Sequence, residues 1–266
     1  FLGKNPISIH SVDSYEAQLE ENYVIVNEKR REDLIWAQSR KLVRGIGGEL
    51  LSDEDLLDEI VHIVEYPTAL LGNIRPEYLK LPKEVIITPM KDHQRYFPVV
   101  DDKGRLLPYF VTVRNGDAKG LEIVRKGNEK VLAPRLEDAK FFYEEDLKSS
   151  LEDKVDALHK VAFHEKLGSM YEKSLRLEAL CSRLGEALDV GEETLENVRR
   201  AAHLSKADLT TRMVTEFTEL EGTMGRIYAE ASGENPIVAK SIEEQYYPRR
   251  AGGPGRARPR RCRRCA

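Results

Sequence analysis

Ten residues in the first half of the chain, MKDHQRYFPV at positions 90–99, combine cations with aromatic rings. Aromatic side chains can stack on nucleic-acid bases, and Lys91 and Arg95 can neutralise phosphates, so this mixture suits RNA binding. The alternative is an ordinary start of a strand, with Phe97 pointing into the core and both cations in solvent. The residues alone leave both interpretations open.

A second basic stretch, RKGNEKVLAPR at positions 125–135, precedes the acid-rich EDAKFFYEED at 137–146. Its cations recur at near-helical spacing and could contact phosphates. Such a helix is often only a solvated face with local ion pairs, each worth well under about 1 kcal/mol. With that alternative open, the sequence predicts five candidate RNA contacts: Lys91, Arg95, Lys126, Lys130 and Arg135.

One group of residues suggests a metal site: His159, His164, His203 and Asp208. Metal-dependent phosphohydrolases of the HD type hold their ions with a histidine that directly precedes an aspartate. Here Ala207 stands before Asp208, so one imidazole ligand is missing. On a single helix His203 would point about 140° away from Asp208. We therefore expect no bound metal, and a structural ion pair between Lys206 and Asp208 instead.

No motif for nucleotide or acyl-transfer chemistry occurs in the sequence. Neither GxxxxGK[ST] nor GxGxxG is present, although glycine-rich loops of these kinds are what cradle phosphates. The patterns G-x-S-x-G and HExxH are missing too. The sequence therefore offers no catalytic residues.

The charge is unevenly divided along the chain. Net charge is −4 over 266 residues, but the segment RRAGGPGRARPRRCRRCA at 249–266 holds eight arginines and no acid, which leaves residues 1–248 at −12. Such a tail could bind RNA, and Cys262 and Cys265 could form half of a zinc site. Its abrupt composition favours a frameshift or a similar artefact over a disordered basic arm or metal binding.

Composition also bears on the setting of the protein. Three cysteines are too few for a disulfide framework, which favours a reducing, cytoplasmic location. No apolar run approaches the roughly 20 residues that a membrane helix needs. Because the sequence starts on Phe1 without Met, we expect it to begin inside a longer protein.

The first half, residues 1–149, is predicted to mix helices with a small antiparallel sheet. Asn27 can cap a helix that ends near Gly45. The four residues Asp101–Gly104 are predicted to form a hairpin-like turn, with glycine at the position that needs a positive φ. The β-prone runs of this half are 85–90, 95–100 and 107–115.

The second half, residues 150–248, is predicted to be helical. Two apolar stripes recur at spacings of three or four residues and are expected to face the core. They are Leu177, Leu180, Cys181, Leu184 and Leu188, and then Leu209, Met213, Phe217, Leu220 and Met224.

Three prolines restrict these elements. Pro98 and Pro108 fall inside predicted strands, and we expect them at edge or bulged positions because proline cannot donate to the ladder. Pro134 is expected to interrupt or kink a helix that precedes the domain boundary near residues 149–150.

Five longer segments follow one another along the chain: ITPMKDHQRYFPV (87–99), KGNEKVLAPRLEDAKFFYEEDLKSSLED (126–153), FHEKLGSMYEKSLRL (163–177), KADLTTRMVTEFTELEGTMGRIYA (206–229) and EEQYYPR (243–249). In this order and spacing they resemble the beta subunit of the bacterial glycyl-tRNA synthetase that is built from two alpha and two beta subunits. The resemblance covers about Asn5 to Arg249 and is expected to end where the arginine-rich tail begins.

The resemblance implies a part in ATP-dependent attachment of glycine to tRNA(Gly). In that family the alpha subunit activates glycine, so ATP and Mg²⁺ are expected there, and none bound by this chain. The beta subunit binds tRNA and supports the assembly, which makes the alpha subunit and tRNA(Gly) the expected partners. The isolated chain is therefore expected to be inactive.

The resemblance also refines the fold class, which is α+β. It implies a mixed α/β region over residues 1–149, followed by a truncated all-α, HD-like domain over 150–248 that does not hydrolyse phosphates. The alternative function is a free-standing HD-type metal-dependent phosphohydrolase or a nucleotide-binding regulatory domain. Metal content would separate the two.

Overall fold

A computed structural model describes residues 2–3, 6–51 and 53–249. Its contacts divide the chain into two units, Phe1–Lys140 and Phe141–Ala266. The boundary expected near residues 149–150 stays a prediction. The predictions about the arginine-rich tail fall on residues 250–266, which lie outside the described residues.

Among the described residues, the first unit contains six α-helices and β-strands before the hairpin over residues 97–115, and most of a long helix after it; that helix ends at Asp146, beyond Lys140. They are α1 (Tyr15–Glu20), α2 (Glu28–Arg44), β1 (Glu49–Leu50), α3 (Glu54–Ile63), β2 (Pro67–Asn73), α4 (Lys83–Thr88), β3 (Phe97–Val100), β4 (Leu106–Asn115) and α5 (Leu121–Asp146). The strands form one antiparallel sheet in the order β1-β3-β4-β2, so the α+β prediction is confirmed.

Local sequence signals fix several of these elements. The Asn27 side chain accepts a 3.0 Å hydrogen bond from the N–H of Arg30 and caps α2, as predicted. Gly104 adopts φ +72° and donates to the carbonyl of Asp101 in the turn between β3 and β4. Both predictions rested on chemistry within four residues, where capping and turn rules are strongest.

Two strand predictions were wrong. Residues 85–90 form the end of α4 and the start of a short π-helix, Pro89–His93, because Ile86 and Met90 pack with Tyr78 in a buried cluster. The strand β2 was missed, although it pairs with β4 over its whole length. Tertiary packing overrides local β-propensity in both cases.

The prolines have different outcomes. The β3–β4 ladder changes register between Pro98 and Val100, and Pro108 lies in the same irregular part. The prediction that both prolines occupy bulged positions is confirmed, because a bulge tolerates a residue that has no N–H. The helix α5 continues through Pro134 without interruption. Pro134 is exposed, so solvent can bond to the carbonyl of Lys130 that loses its helical donor.

Helices dominate the second unit, as predicted. Its elements are β5 (Ala162–His164), β6 (Gly168–Ser169), α6 (Met170–Ala187), α7 (Glu192–Leu204), α8 (Arg212–Glu216), α9 (Thr223–Ala231) and α10 (Pro236–Glu244). The hairpin of β5 and β6 was not predicted. Among the described residues, no helix is long and apolar enough to cross a membrane.

The two apolar stripes differ in burial. Met213, Phe217 and Met224 are fully buried, which confirms the second stripe as core. In the first stripe Leu180, Leu184 and Leu188 are 63%, 56% and 66% exposed, so the prediction for those leucines was wrong.

The reason for the exposure of these leucines lies on a neighbouring face of α6. Gly185 is buried there, and a Cβ added to it would lie 2.7 Å from Cδ1 of Leu195 in α7. The small residue lets the two helices approach closely. The face of α6 that contains Gly185 therefore packs on α7, in place of the leucine-rich face that the sequence pattern predicted.

Candidate RNA-binding surface

The aromatic residues of the 87–99 segment lie in the core of the first unit. Tyr96 is 4% exposed and Phe97 is fully buried. The Tyr96 ring stacks on Phe110 with centroids 4.6 Å apart, and burial raises the pKa of Tyr96 to about 12. These rings cannot act as a base-stacking platform. The alternative that placed Phe97 inward is therefore correct.

The two cations of this segment have acidic neighbours. Lys91 forms an ion pair with Asp53, which caps α3, and the guanidinium of Arg95 lies 2.7 Å from the carboxylate of Glu59 within α3. Arg95 also donates to the carbonyl of Asp92 and adopts φ +57°, a region that non-glycine residues rarely enter. Both cations remain partly exposed, but much of their charge is balanced.

The structure brings the two predicted basic stretches together. The hydroxyl of Tyr96 donates a 2.7 Å hydrogen bond to Oδ1 of Asn128, which lies on α5 between Lys126 and Lys130. Met90 and Leu132, one from each segment, belong to the same buried apolar cluster. The 87–99 segment is thereby fixed against the basic part of α5.

The three cations on α5 differ in their surroundings. Lys126 is exposed and lies 3.7 Å from Glu122. Lys130 is exposed, and among the described residues it has no carboxylate within ion-pair distance. Arg135 is half-buried. That these five cations contact RNA stays a prediction.

Glu137, which follows these cations on α5, binds other residues. Glu137 accepts hydrogen bonds from the hydroxyl of Tyr78 at 2.8 Å and from Arg75 at 2.6 Å. The hydrogen bond from Tyr78, followed by the charge of Arg75, lowers the pKa of Glu137. This carboxylate therefore stabilises the first unit without neutralising Lys126 or Lys130.

The residues that suggested a metal site lie in separate surroundings. His203 contacts Glu152 at 3.0 Å, and the His159 ring stacks on Tyr171 with centroids 3.8 Å apart. Asp208 is fully buried elsewhere. Within the part of the chain that the structure describes, no three His, Cys, Asp or Glu residues are placed to hold a metal ion.

Asp208 instead stabilises a turn. Its Oδ2 accepts a 2.5 Å hydrogen bond from the N–H of Gly222, and its Oδ1 has no hydrogen-bond partner within the described residues. Burial raises the pKa of Asp208 to about 6. Burial lowers the pKa of Lys206 to about 8, while the charge of Asp208 acts in the opposite direction. The Lys206 ammonium lies 4.1 Å from the centre of the Tyr246 ring. Among the described residues it forms no ion pair with Asp208, so the prediction of that ion pair was wrong, although the two charges still influence each other.

A further exposed aromatic residue was not among the predicted RNA contacts. Phe163 on β5 is 39% exposed, and the ammonium of Lys173 lies 4.0 Å from the centre of its ring. The signal was present, because the string FHEK sets an aromatic among basic residues much as 90–99 does. An all-helical interpretation of this region hid the exposed hairpin.

Comparison with known proteins gives a consistent result. A family model described as glycyl-tRNA synthetase beta subunit matches residues 1–258. The match thus runs past Arg249, where the resemblance was expected to end, so that expectation was wrong.

Individual relatives agree with the family model. A glycine–tRNA ligase beta subunit of Clostridioides difficile (strain 630) is 49% identical over 252 residues, which is 95% of this chain and 36% of the relative. The corresponding proteins of Desulforamulus reducens and Bacillus subtilis (strain 168) are 51% and 47% identical, each over 95% of this chain. The chain spans about 36% of the length of the curated relatives it matches. It belongs to the glycyl-tRNA synthetase beta subunit family.

Proposed function

We propose that this chain is a tRNA-facing part of a glycine–tRNA ligase beta subunit. In this role it supports ATP-dependent glycylation of tRNA(Gly) by contacting the tRNA and by contributing to assembly with an alpha subunit in the cytoplasm. The observation that carries the proposal is the family match over residues 1–258. The chain aligns with 36% of the Clostridioides difficile relative, so other parts of the subunit share this work.

The proposal assigns the chemistry to another chain. Activation of glycine requires a site for ATP and Mg²⁺, and the sequence holds neither of the common phosphate-binding loops. We place ATP and Mg²⁺ on the alpha subunit. The contribution of this chain is then electrostatic, because exposed cations such as Lys126 and Lys130 can neutralise tRNA phosphates.

Glycine-dependent pyrophosphate exchange and tRNA charging test this division of roles. The first sample is this chain alone. The second is the Bacillus subtilis alpha subunit with a hybrid beta subunit, in which residues 1–248 of this chain replace the aligned region. We expect no exchange by the chain alone, and both exchange and charging of tRNA(Gly) by the hybrid.

Two results would contradict the proposal. Robust exchange by the isolated chain would place the chemistry here. A hybrid that assembles and exchanges normally but neither binds nor charges tRNA(Gly) would show that residues 1–248 of this chain cannot fill a tRNA-facing role in the subunit. The authentic Bacillus subtilis assembly is the matched control for both activities.

A further inference from the structure

The hairpin of β5 and β6 exposes an aromatic ring on the second unit. Every residue from Ala162 to Gly168 is exposed. Phe163 has 39% and Leu167 has 50% of its surface accessible. The Lys173 ammonium lies over this ring, 4.0 Å from its centre, and so covers one face of it. Bases of single-stranded nucleic acids stack on the free face of exposed rings, and a neighbouring cation adds to the attraction.

The chain around this hairpin is basic. Residues 159–176 contain two acids, Glu165 and Glu172, and the carboxylate of Glu172 is already bound to Ser169 in the capping box of α6. Four cations in the stretch have no ion-pair partner among the described residues: Lys160, Lys166, Lys173 and Arg176. The two cations of the 87–99 segment, by contrast, are paired with acids of the neighbouring helix.

The hairpin has a fixed shape. Ala162 pairs with Ser169 and His164 with Gly168, and the turn closes with a 3.0 Å hydrogen bond from the N–H of Leu167 to the carbonyl of His164. Gly168 takes φ +80° there. A surface that is ordered before binding loses less entropy on contact with a ligand.

We propose that this hairpin binds an unpaired nucleotide of RNA. The base stacks on Phe163, and Lys160, Lys166 and Arg176 neutralise neighbouring phosphates. Exposed apolar groups alone would also suit a protein partner, but four unpaired cations in an acidic chain favour a polyanion. The inference rests on the proposed function for the identity of the RNA, which is tRNA(Gly).

Binding of a tRNA(Gly) transcript to the hybrid assembly tests this inference at several salt concentrations. Phe163→Ala should lower the affinity about tenfold, as expected for one stacked base, and Phe163→Tyr should restore it to within about twofold. Lys160→Glu with Lys166→Glu should reduce the magnitude of the salt slope by about 0.7 for each cation. Glycine-dependent pyrophosphate exchange should stay unchanged in all of them.

Matched controls keep the test specific. Tyr15→Ala removes another exposed ring, and Lys103→Glu reverses another exposed cation on a hairpin turn; both should leave the affinity within about twofold.

Unchanged affinity for Phe163→Ala, while the parent assembly binds tRNA, would overturn the hairpin inference and leave the proposed function intact. Loss of subunit assembly with unchanged tRNA affinity would instead assign the hairpin to a protein contact. Failure of the parent assembly to bind tRNA would contradict the proposed function itself.

Discussion

The Tyr96 hydroxyl donates a 2.7 Å hydrogen bond to Oδ1 of Asn128, which links the 87–99 segment to α5. Tyr96→Phe removes this bond but keeps the ring stacked on Phe110. The free energy of unfolding in urea should fall by about 1 kcal/mol, the usual net value of one such bond. The exposed Tyr15→Phe serves as a control and should change it little. Equal stability of wild type and Tyr96→Phe would show that the bond does not tie the two segments.

The turn at Gly222 offers a sharper test of packing. Gly222 has φ +75°, and a Cβ there would lie 2.4 Å from the Tyr246 ring, whereas Gly233 has φ +80° with nothing within 4 Å. A positive φ costs both alanine variants at least about 1 kcal/mol. The ψ of −46° places Gly222 outside the left-handed helical region, which adds to the cost at that position. Gly222→Ala should cost about 2 kcal/mol more because of the clash. Thermal and urea unfolding that gave equal losses for the two variants would contradict this account of the turn.

The buried carboxyl of Asp208 should make stability depend on pH. Its pKa is raised to about 6 by burial, so the folded chain keeps a proton that the unfolded chain has released above about pH 4. The free energy of unfolding should therefore fall as pH rises from about 4 to about 6, and the penalty should persist above that range.

Asp208→Asn removes the titrating group and provides the measurement. The free energy of unfolding of this variant minus that of wild type should increase by about 2 kcal/mol from pH 4 to pH 7. Urea unfolding at each pH measures both values. Asp156→Asn changes an exposed carboxyl and should show no such trend. A difference between Asp208→Asn and wild type that is independent of pH would mean that Asp208 ionises normally in the folded chain.

The exposed leucines of α6 should contribute little to stability. Leu184 is 56% exposed, and Leu184→Ser should change the free energy of unfolding by less than about 0.5 kcal/mol. Phe217→Ala, in the buried stripe, should cost about 3–5 kcal/mol. If Leu184→Ser lowered the free energy of unfolding by several kcal/mol, this leucine would belong to the core, as the sequence pattern predicted.

Local chemistry was the part of the fold that could be predicted. The cap at Asn27 and the turn at Gly104 depend on residues that are close in sequence. The helix α4 and the solvent-facing leucines of α6 depend on distant packing instead, for example the close approach of Gly185 to Leu195. A single sequence carries no direct record of such contacts.

The candidate surface shows the same limit. The types of Lys91 and Arg95 were visible, but their acidic partners, at the N-cap of α3 and within α3, lie more than 30 residues earlier in the chain. The exposure of Phe163 depends on a hairpin whose strands are three and two residues long, too short for a clear periodic signal. Residue type thus indicated the chemistry, and burial decided which side chains remain available for it.

The most direct test of the account is the salt dependence of tRNA(Gly) binding by the hybrid assembly, in which the arginine-rich tail is absent. Charge reversal at Lys91, Arg95, Lys126, Lys130 and Arg135 should weaken binding and reduce the magnitude of the salt slope by at least about 0.7, one phosphate contact. Glycine-dependent pyrophosphate exchange should be unchanged and serves as the control for folding and assembly. If affinity and salt slope match those of the parent while exchange is intact, these cations are only a solvated face and the predicted tRNA contact is wrong.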